Sequence, residues 1–240
     1  MKRRIEDKLL KINKDFYSRI ASDFSRTRQS FWPGWKTALN YMRLNELEEI
    51  KIFDVGCGNG RFYDFLKSQH SKLDYLGIDN TPELFPVIFP ENESIKFKVI
   101  DIINDDLRSL NNEPYDLISM IAVLHHIPGK ENRLKLMSNL KNLLRDNGYL
   151  LITFWDFLDE TKLVDKIVDW KYTDIDTKDL DNGDYLISWG GDKNSYRYCH
   201  YYSQNEKNEI INFLDLNLIK TFKSDGKSGS LNSYYLLQNS

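Results

Sequence analysis

The sequence predicts an α/β domain: a doubly wound, mostly parallel seven-stranded sheet with helices ahead of it and an insertion after the fifth strand. Three observations carry that expectation. Between Lys51 and Trp155, short apolar runs alternate with helical segments across brief connections, the grammar of parallel pairing through right-handed crossovers. The first run passes directly into a glycine-rich turn, and the next two end at Asp79 and Asp101. Two final runs flank a Gly/Ser loop and read as an antiparallel pair that closes the sheet.

In chain order, Ile5, Leu9, Ile12, Phe16, Ile20 and Phe24 recur at steps of three and four, on one face of a first helix. A polar run from Ser25 to Gly34 interrupts it, and a second helix is expected from Trp35 to about Leu47. Lys51–Val55 reads as the first strand and Arg61–Lys67 as the helix after it. Leu73–Ile78 is the second strand. Thr81–Pro90 contains Pro82, Pro86 and Pro90, so any helix there is short or distorted. Ile95–Ile100 and Tyr115–Val123 are the third and fourth strands. Lys130–Arg145 keeps a helical period at Leu134, Met137, Leu140 and Leu144, and Gly148 turns the chain into a fifth strand, Tyr149–Phe154. Residues 157–202 are polar, rich in Asp, Tyr and Trp, and lack a clean period. Glu206–Leu214 is helical again, and Leu216–Phe222 and Ser233–Leu237 flank the loop Ser224–Leu231. The strand ends at Asp54, Asp79, Asp101, Ile121 and Trp155 should line one edge, where open α/β sheets bind ligands.

Composition narrows the functional classes. The 240 residues allow one domain with a sizeable insertion. With 33 Lys and Arg against 36 Asp and Glu, the formal charge of −3 excludes a strongly basic nucleic-acid binder but not a local basic patch. Cys57 and Cys199 are the only cysteines, which excludes a disulfide scaffold and a cysteine-rich zinc site, and no metal is expected. The charged start MKRRIEDKLL lacks the apolar run of a signal peptide, and no stretch approaches a membrane span. A cytoplasmic, soluble chain is expected.

Gly56, Gly58 and Gly60 lie between a strand and a helix, where glycine permits a tight turn and a close approach to a ligand. An isolated triplet is equally a plain glycine-rich turn. Asp79, 25 residues after Asp54, is placed to accept both hydroxyl protons of a ribose, and Asp101 with Ile102 suits an adenine amino group and ring. A dinucleotide site usually carries G-x-G-x-x-G; here the spacing is G-x-G-x-G behind Asp54. That arrangement resembles the class I S-adenosylmethionine-dependent methyltransferases, which are Rossmann-like. The resemblance implies S-adenosyl-L-methionine as cofactor. It further implies that the glycine loop cradles the methionine part, Asp79 holds the ribose, and Asp101 with Ile102 holds the adenine. Asp54 and Ile121 complete the strand-end set.

Four separated segments carry a narrower resemblance: FYSRIASDFSRTRQSFWP at 16–33, FDVGCGNGR at 53–61, MIAVLHH at 120–126 and RYCHYYSQNE at 197–206. They are similar to the tRNA wobble-uridine carboxymethyl methyltransferases, the yeast-type enzyme and the methyltransferase domain of the human AlkB-homologue fusion protein. The resemblance implies esterification of the carboxylate of 5-carboxymethyluridine at the tRNA wobble position. It also implies the anticodon loop as macromolecular partner and a small zinc-binding activator subunit. Asp146-Asn147-Gly148 replaces the usual P-G-G, a change expected to affect a turn, and the stretch before Arg197 is unusually acidic for an RNA-facing surface. On this reading one domain spans 1–240. It comprises an N-terminal helical lid (1–48), a cofactor-binding half (49–156), a substrate-side insertion (157–202) and a closing helix with hairpin (203–240).

The implied chemistry needs no general base, because a carboxylic acid with a pKa near 4 is already ionised at neutral pH. Arg197 and His200 are expected to grip the acceptor carboxylate or a nearby phosphate, since a guanidinium fork matches either; the alternative is an ordinary surface strand. His125 and His126 are expected beside the methyl group, the alternative being that one packs and the other caps the next helix. Arg28 and Trp32 are placed in the lid against the cofactor, or else hold two helices together as a cation over a ring. Among Trp155, Trp170, Trp189, Tyr196, Tyr198 and Tyr202, one or two are expected to stack on substrate. Lys2, Arg3, Arg4, Lys8 and Lys11 could meet phosphates but read better as a solvated helix face. Two rivals stand beside this reading: a methyltransferase acting on a free small-molecule carboxylate, and a non-catalytic member that binds RNA or a partner protein.

Overall fold

The computed structural model describes residues 1–86, 94–110, 113–190 and 192–240. The end of the proline-rich stretch, including Pro90, lies outside the described residues. Seven strands form one sheet: β1 (Ile50–Val55), β2 (Leu73–Asp79), β3 (Ile95–Val99), β4 (Tyr115–Met120), β5 (Leu144–Trp155), β9 (Asn217–Ser224) and β10 (Asn232–Gln238). Their order is β3-β2-β1-β4-β5-β10-β9. The first five pair in parallel and β10 runs antiparallel to both β5 and β9. The order reverses between β1 and β4, which makes the carboxyl ends of those strands the crevice of the sheet.

The central strands carry apolar residues on both faces because both faces are covered. In β1, Phe53 and Val55 enter one core, with Ile118, Met120, Ile152 and the helices α4 (Lys130–Lys141) and α6 (Gln204–Leu214). Ile50 and Ile52 enter the other core, with Leu117, Leu151, and the helices α2 (Pro33–Leu39) and α3 (Arg61–Gln69). Two helices are shorter than expected. Helix α2 ends at Leu39 and is followed by a separate 3-10 turn at Leu44–Glu46. Helix α4 ends at Lys141, because β5 already begins at Leu144 and bends through Asn147, which adopts a left-handed backbone, φ 62°.

Residues 157–202 are not irregular. After a single-turn helix α5 (Thr161–Val164) they build a second sheet, β6 (Ile167–Val168), β7 (Asp184–Trp189) and β8 (Asp192–His200), all antiparallel. Helix α1 (Arg3–Thr27) lays Ile5 and Leu9 on Val168, Leu186 and Tyr198 of this sheet. Two expectations resolve together here. Two acidic residues of the insertion meet α1: Lys2 lies 2.7 Å from Asp179, and Lys8 pairs with Asp174. The basic N-terminal stretch is thus partly neutralised by the insertion, in exposed ion pairs worth about 0–1 kcal/mol each. Helix α1 and the small sheet form a wall above the crevice. Among the described residues no helix is long and apolar enough to cross a membrane.

Candidate active site

A cavity of about 500 Å³ opens at the crevice between the main sheet and that wall. Its floor is the turn after β1. The amides of Gly56 and Cys57 both donate to the carbonyl of Ile78, at 2.8 and 2.9 Å, which pins the turn to β2. Gly58 has φ 52°, and a β-carbon there would meet nothing nearer than Phe24 at 3.9 Å. It would instead fill the cradle, so the glycine leaves bare backbone facing a ligand. Gly60 does not line the cavity; it caps α3 in a left-handed conformation and packs beside Phe97.

Two carboxylates frame the floor. Asp54, buried at the end of β1, accepts hydroxyl protons from Tyr75 and Ser119, both at 2.6 Å. Asp79, ending β2, accepts the amides of Gly58 at 3.0 Å and Thr81 at 2.9 Å. Withdrawal from bulk water raises each carboxyl to about 6 despite those donors. Asp101 follows β3. Its Oδ1 accepts the amide of Ile103 at 3.0 Å, and Ile100, Ile102 and Ile103 line the same end. Ile121 and Ala122 follow β4. Ala122 is held at φ 59° while its amide donates to the buried hydroxyl of Thr153 at 2.8 Å, a strained alanine at the switch point.

Three guanidinium groups stand on aromatic faces around the rim. Arg61 lies 5.0 Å from both the Trp32 and Trp35 rings and donates to the carbonyl of Ser30 at 2.7 Å. Burial, and Arg28 nearby, lower its pKa to about 10. Arg28 sits 5.0 Å from Phe24 and 5.1 Å from Trp189. Arg197 is buried among Phe16, Trp155 and Trp189, at 5.3, 5.0 and 5.7 Å, with one terminal nitrogen lacking any hydrogen-bond partner. His125, also buried and lining the cavity, has an unpartnered Nδ1, and its ring centre is 5.1 Å from that of Trp155. Burial and the positive groups around it drive its pKa well down, so it is neutral. Unsatisfied polar atoms this deep cost about 1–3 kcal/mol, and two of them flank one tryptophan.

His126 is tied more tightly. Its Nδ1 lies 2.9 Å from the carbonyl of Tyr198 and its Nε2 lies 2.8 Å from the Tyr17 hydroxyl. Burial, with Arg197 nearby, lowers its pKa to about 3. Ligand atoms of His125, His126 and Cys199 fall within 4.8 Å of one another. Both nitrogens of His126 are already engaged, however, and Arg197 supplies positive charge where a metal would need a negative one.

His200 is the expectation that the geometry corrects. On a strand, residues three apart face opposite ways. Arg197 and Cys199 face the cavity side, whereas Tyr198 and His200 point away. His200 is fully buried with Nδ1 2.7 Å from Asp184 and Nε2 3.1 Å from Glu206, and it does not line the cavity. Burial alone would lower its pKa, but those two carboxylates outweigh it and raise it. Of the six aromatics singled out, Trp155 and Trp189 line the cavity. Tyr198 and Tyr202 spend their hydroxyls on Asp184 and the carbonyl of Leu124, both at 2.8 Å. Trp170 and Tyr196 pack in the cluster under α1.

Sequence reasoning overlooked several lining residues. Arg61, the first residue of α3, could have been found as a cation beside the glycine turn. Tyr17, Trp35 and Asn232 carry no local signal. Asn232 is held by Asp225 at 3.0 Å, and Asp225 also accepts the amide of Gly34 at 3.0 Å and the Tyr234 hydroxyl. This buried carboxylate therefore anchors the Trp32-Pro33-Gly34 turn to the β9–β10 hairpin.

Comparison with known proteins agrees with the geometry. Residues 53–150 match a family described as a methyltransferase domain. The tRNA (carboxymethyluridine(34)-5-O)-methyltransferase of Saccharomyces cerevisiae is 30% identical over 139 residues, 58% of this chain and 46% of the yeast protein. The chain spans about half or less of the length of such curated relatives. A solved S-adenosylmethionine-dependent methyltransferase from Methanosarcina mazei superposes with a TM-score of 0.62 at 17% identity, covering 88% of this chain and 99% of the other. A Burkholderia thailandensis 1,6-didemethyltoxoflavin-N1-methyltransferase, solved with bound S-adenosylhomocysteine, gives 0.62 at 14% identity, covering 98% and 90%. The bare glycine cradle beside Asp79 and the enclosed apolar end at Ile102 fit S-adenosyl-L-methionine. Residues 53–150 are therefore similar to a methyltransferase domain, and the chain has the class I, Rossmann-like fold of S-adenosylmethionine-dependent methyltransferases.

Proposed function

We propose that this protein esterifies the carboxylate of 5-carboxymethyluridine at the wobble position of tRNA, with the anticodon loop as its macromolecular partner. The observation that carries this reading is Arg197: a buried guanidinium, caged by three rings, with a donor left unpaired at the cavity. A planar anion is the acceptor such a fork fits best. A second hydrogen bond to the same group would come from His125, whose buried Nδ1 has no partner.

Bound S-adenosylmethionine supplies an electrophilic methyl group on a sulfonium. The glycine turn and Asp79 hold its amino-acid and ribose portions, and Asp101 with Ile102 its adenine. Arg28, Trp32 and Arg61 close the methionine end. Arg197 and His125 orient the acceptor carboxylate, which arrives ionised, so no side chain has to remove a proton. The aromatic cage excludes water from a step in which opposite charges cancel, a step that bulk water would retard. Holding both reactants in line is worth about 7–11 kcal/mol.

The test is incubation of the chain with labelled cofactor and hypomodified tRNA bearing carboxymethyluridine, followed by nucleoside mass spectrometry. The methyl ester at position 34 is the expected product, and it should fade steeply with added salt. Equal methylation of a free aryl or alkyl acetate, without salt dependence, would favour the small-molecule rival. The resemblance also includes a small zinc-binding activator subunit in the enzyme; activity of the chain alone would remove it from this proposal.

A further inference from the structure

Strand β10 brings one more polar side chain to the Arg197 end of the cavity. It pairs antiparallel with β5, and its first residue, Asn232, stands directly opposite Trp155. Residues opposite each other in such a pair project to the same face of the sheet, with β-carbons about 4.5–5.5 Å apart. The Trp155 ring is in turn 5.0 Å from the Arg197 guanidinium and 5.1 Å from the His125 ring. Asn232 is thus the cross-strand neighbour of the ring against which Arg197 and His125 both pack. It lines the cavity, yet only 1% of its surface is exposed.

The orientation of its amide is fixed from behind. Asn232 Nδ2 lies 3.0 Å from Asp225 Oδ2, and a carboxylate oxygen accepts hydrogen bonds without donating any. The same carboxylate takes the Gly34 amide at 3.0 Å and the Tyr234 hydroxyl, which hold it in place. The amide nitrogen must therefore face Asp225, and the carbonyl oxygen must be turned from it. Among the described residues nothing donates to that oxygen. A buried acceptor without a donor is costly to keep, and at a cavity wall it marks a place where a ligand supplies the donor.

We propose that Asn232 reads the base: its carbonyl oxygen accepts the N3–H imide proton of the uracil ring whose 5-substituent is held by Arg197 and His125. Asp225 is the positioning residue that keeps the oxygen forward. The uracil ring has a single hydrogen-bond donor, N3–H, whereas cytosine carries a lone pair at the same atom. The oxygen therefore attracts one pyrimidine and repels the other. A pocket that hydrogen-bonds a substrate group rejects an analogue lacking it far better than a pocket that relies on shape. The inference rests on the proposed wobble-uridine reading and adds to it the element that selects the base.

The experiment measures kcat/KM of the full chain, wild type and Asn232→Ala, on three anticodon stem-loops. They carry 5-carboxymethyluridine, 5-carboxymethylcytidine or 2′-deoxy-5-carboxymethyluridine at the wobble position. Wild type should prefer the uridine over the cytidine by about a hundredfold or more. Asn232→Ala should lose roughly 5- to 100-fold on the uridine and nothing on the cytidine, with cofactor Kd held within about twofold. Should the variant fold poorly, wild type alone reads the same contact. With 15N at N3, the imino proton of the bound uracil should be protected from exchange and give a resonance that the free stem-loop lacks. Equal use of uridine and cytidine by the wild type, a preference retained in Asn232→Ala, or an unprotected imino proton overturns the inference. So does a loss of cofactor affinity in the variant, which would assign the oxygen to the cofactor's ammonium group. A deoxy substrate that loses as much as the cytidine overturns it too, by assigning the oxygen to the ribose 2′-hydroxyl. A wild type that binds cofactor but methylates none of the three stem-loops strikes at the wobble-uridine reading and takes the inference with it.

Discussion

Replacing Arg197 by alanine separates acceptor binding from every other property of the cavity. A hydrogen bond to an ionised partner contributes about 1.5–3 kcal/mol, equivalent to roughly 10- to 150-fold in an equilibrium constant. The acceptor loses its negative charge as it is esterified, so Arg197 attracts the bound substrate more strongly than the transition state. The loss should therefore fall mainly on KM, with a smaller effect on kcat from poorer alignment. Stability should change little, because two effects oppose each other: a void opens among Phe16, Trp155 and Trp189, but a buried nitrogen without a partner disappears. Arg197→Lys restores charge without the planar fork and should fall in between. The assay is steady-state methylation of hypomodified tRNA, with cofactor Kd measured separately and expected within a few fold of wild type. Unchanged KM and kcat in Arg197→Ala would refute the reasoning.

Three further outcomes are expected. His200→Ala should unfold more easily, by about 1.5–3 kcal/mol for losing a buried hydrogen bond to a carboxylate, because it strips Asp184 of a partner at 2.7 Å; kcat per folded molecule, measured by active-site titration, should persist. Asp79 has a raised folded pKa of about 6, so its contribution to stability is present below the unfolded value near 4 and is lost as pH rises through 6; a sulfonium ligand prefers the ionised form, so cofactor affinity should climb from pH 5 to 7, and Asp79→Asn should bind weakly without that slope. Gly34→Ala would drive a β-carbon to 2.4–2.6 Å from the Tyr234 ring and hydroxyl, costing about 1–3 kcal/mol of overpacking; thermal melts should fall and cofactor affinity with them, since Trp32 is two residues away.

The main sheet is legible because its parallel strands are short and mostly apolar, and because Asp54, Asp79 and Asp101 mark where they end. The insertion is not. Strand β6 is two residues long, and β7 buries Leu186 and Ile187 on opposite faces, so neither shows alternation. Its acidic residues, read alone, suggest an unfavourable RNA surface; only the tertiary structure reveals that Asp174 and Asp179 pair with α1 and Asp181 with Arg133. The cofactor end of the site follows from local grammar, strand then glycine turn then acid. The acceptor end does not. Arg197 and His200 share one short motif, and nothing in a motif says that a strand turns them to opposite sides. Tyr17 and Asp225 act across 109 and 191 residues of chain, on His126 and the Gly34 amide, distances over which a single sequence carries no pairing signal.

The most direct measurement is mass spectrometry of wobble nucleosides in tRNA from cells lacking this protein. The account predicts accumulation of carboxymethyluridine, or its amide form, with the methyl ester restored by wild-type chain and less completely by Arg197→Ala. A wobble profile identical to that of the parent cells would contradict it.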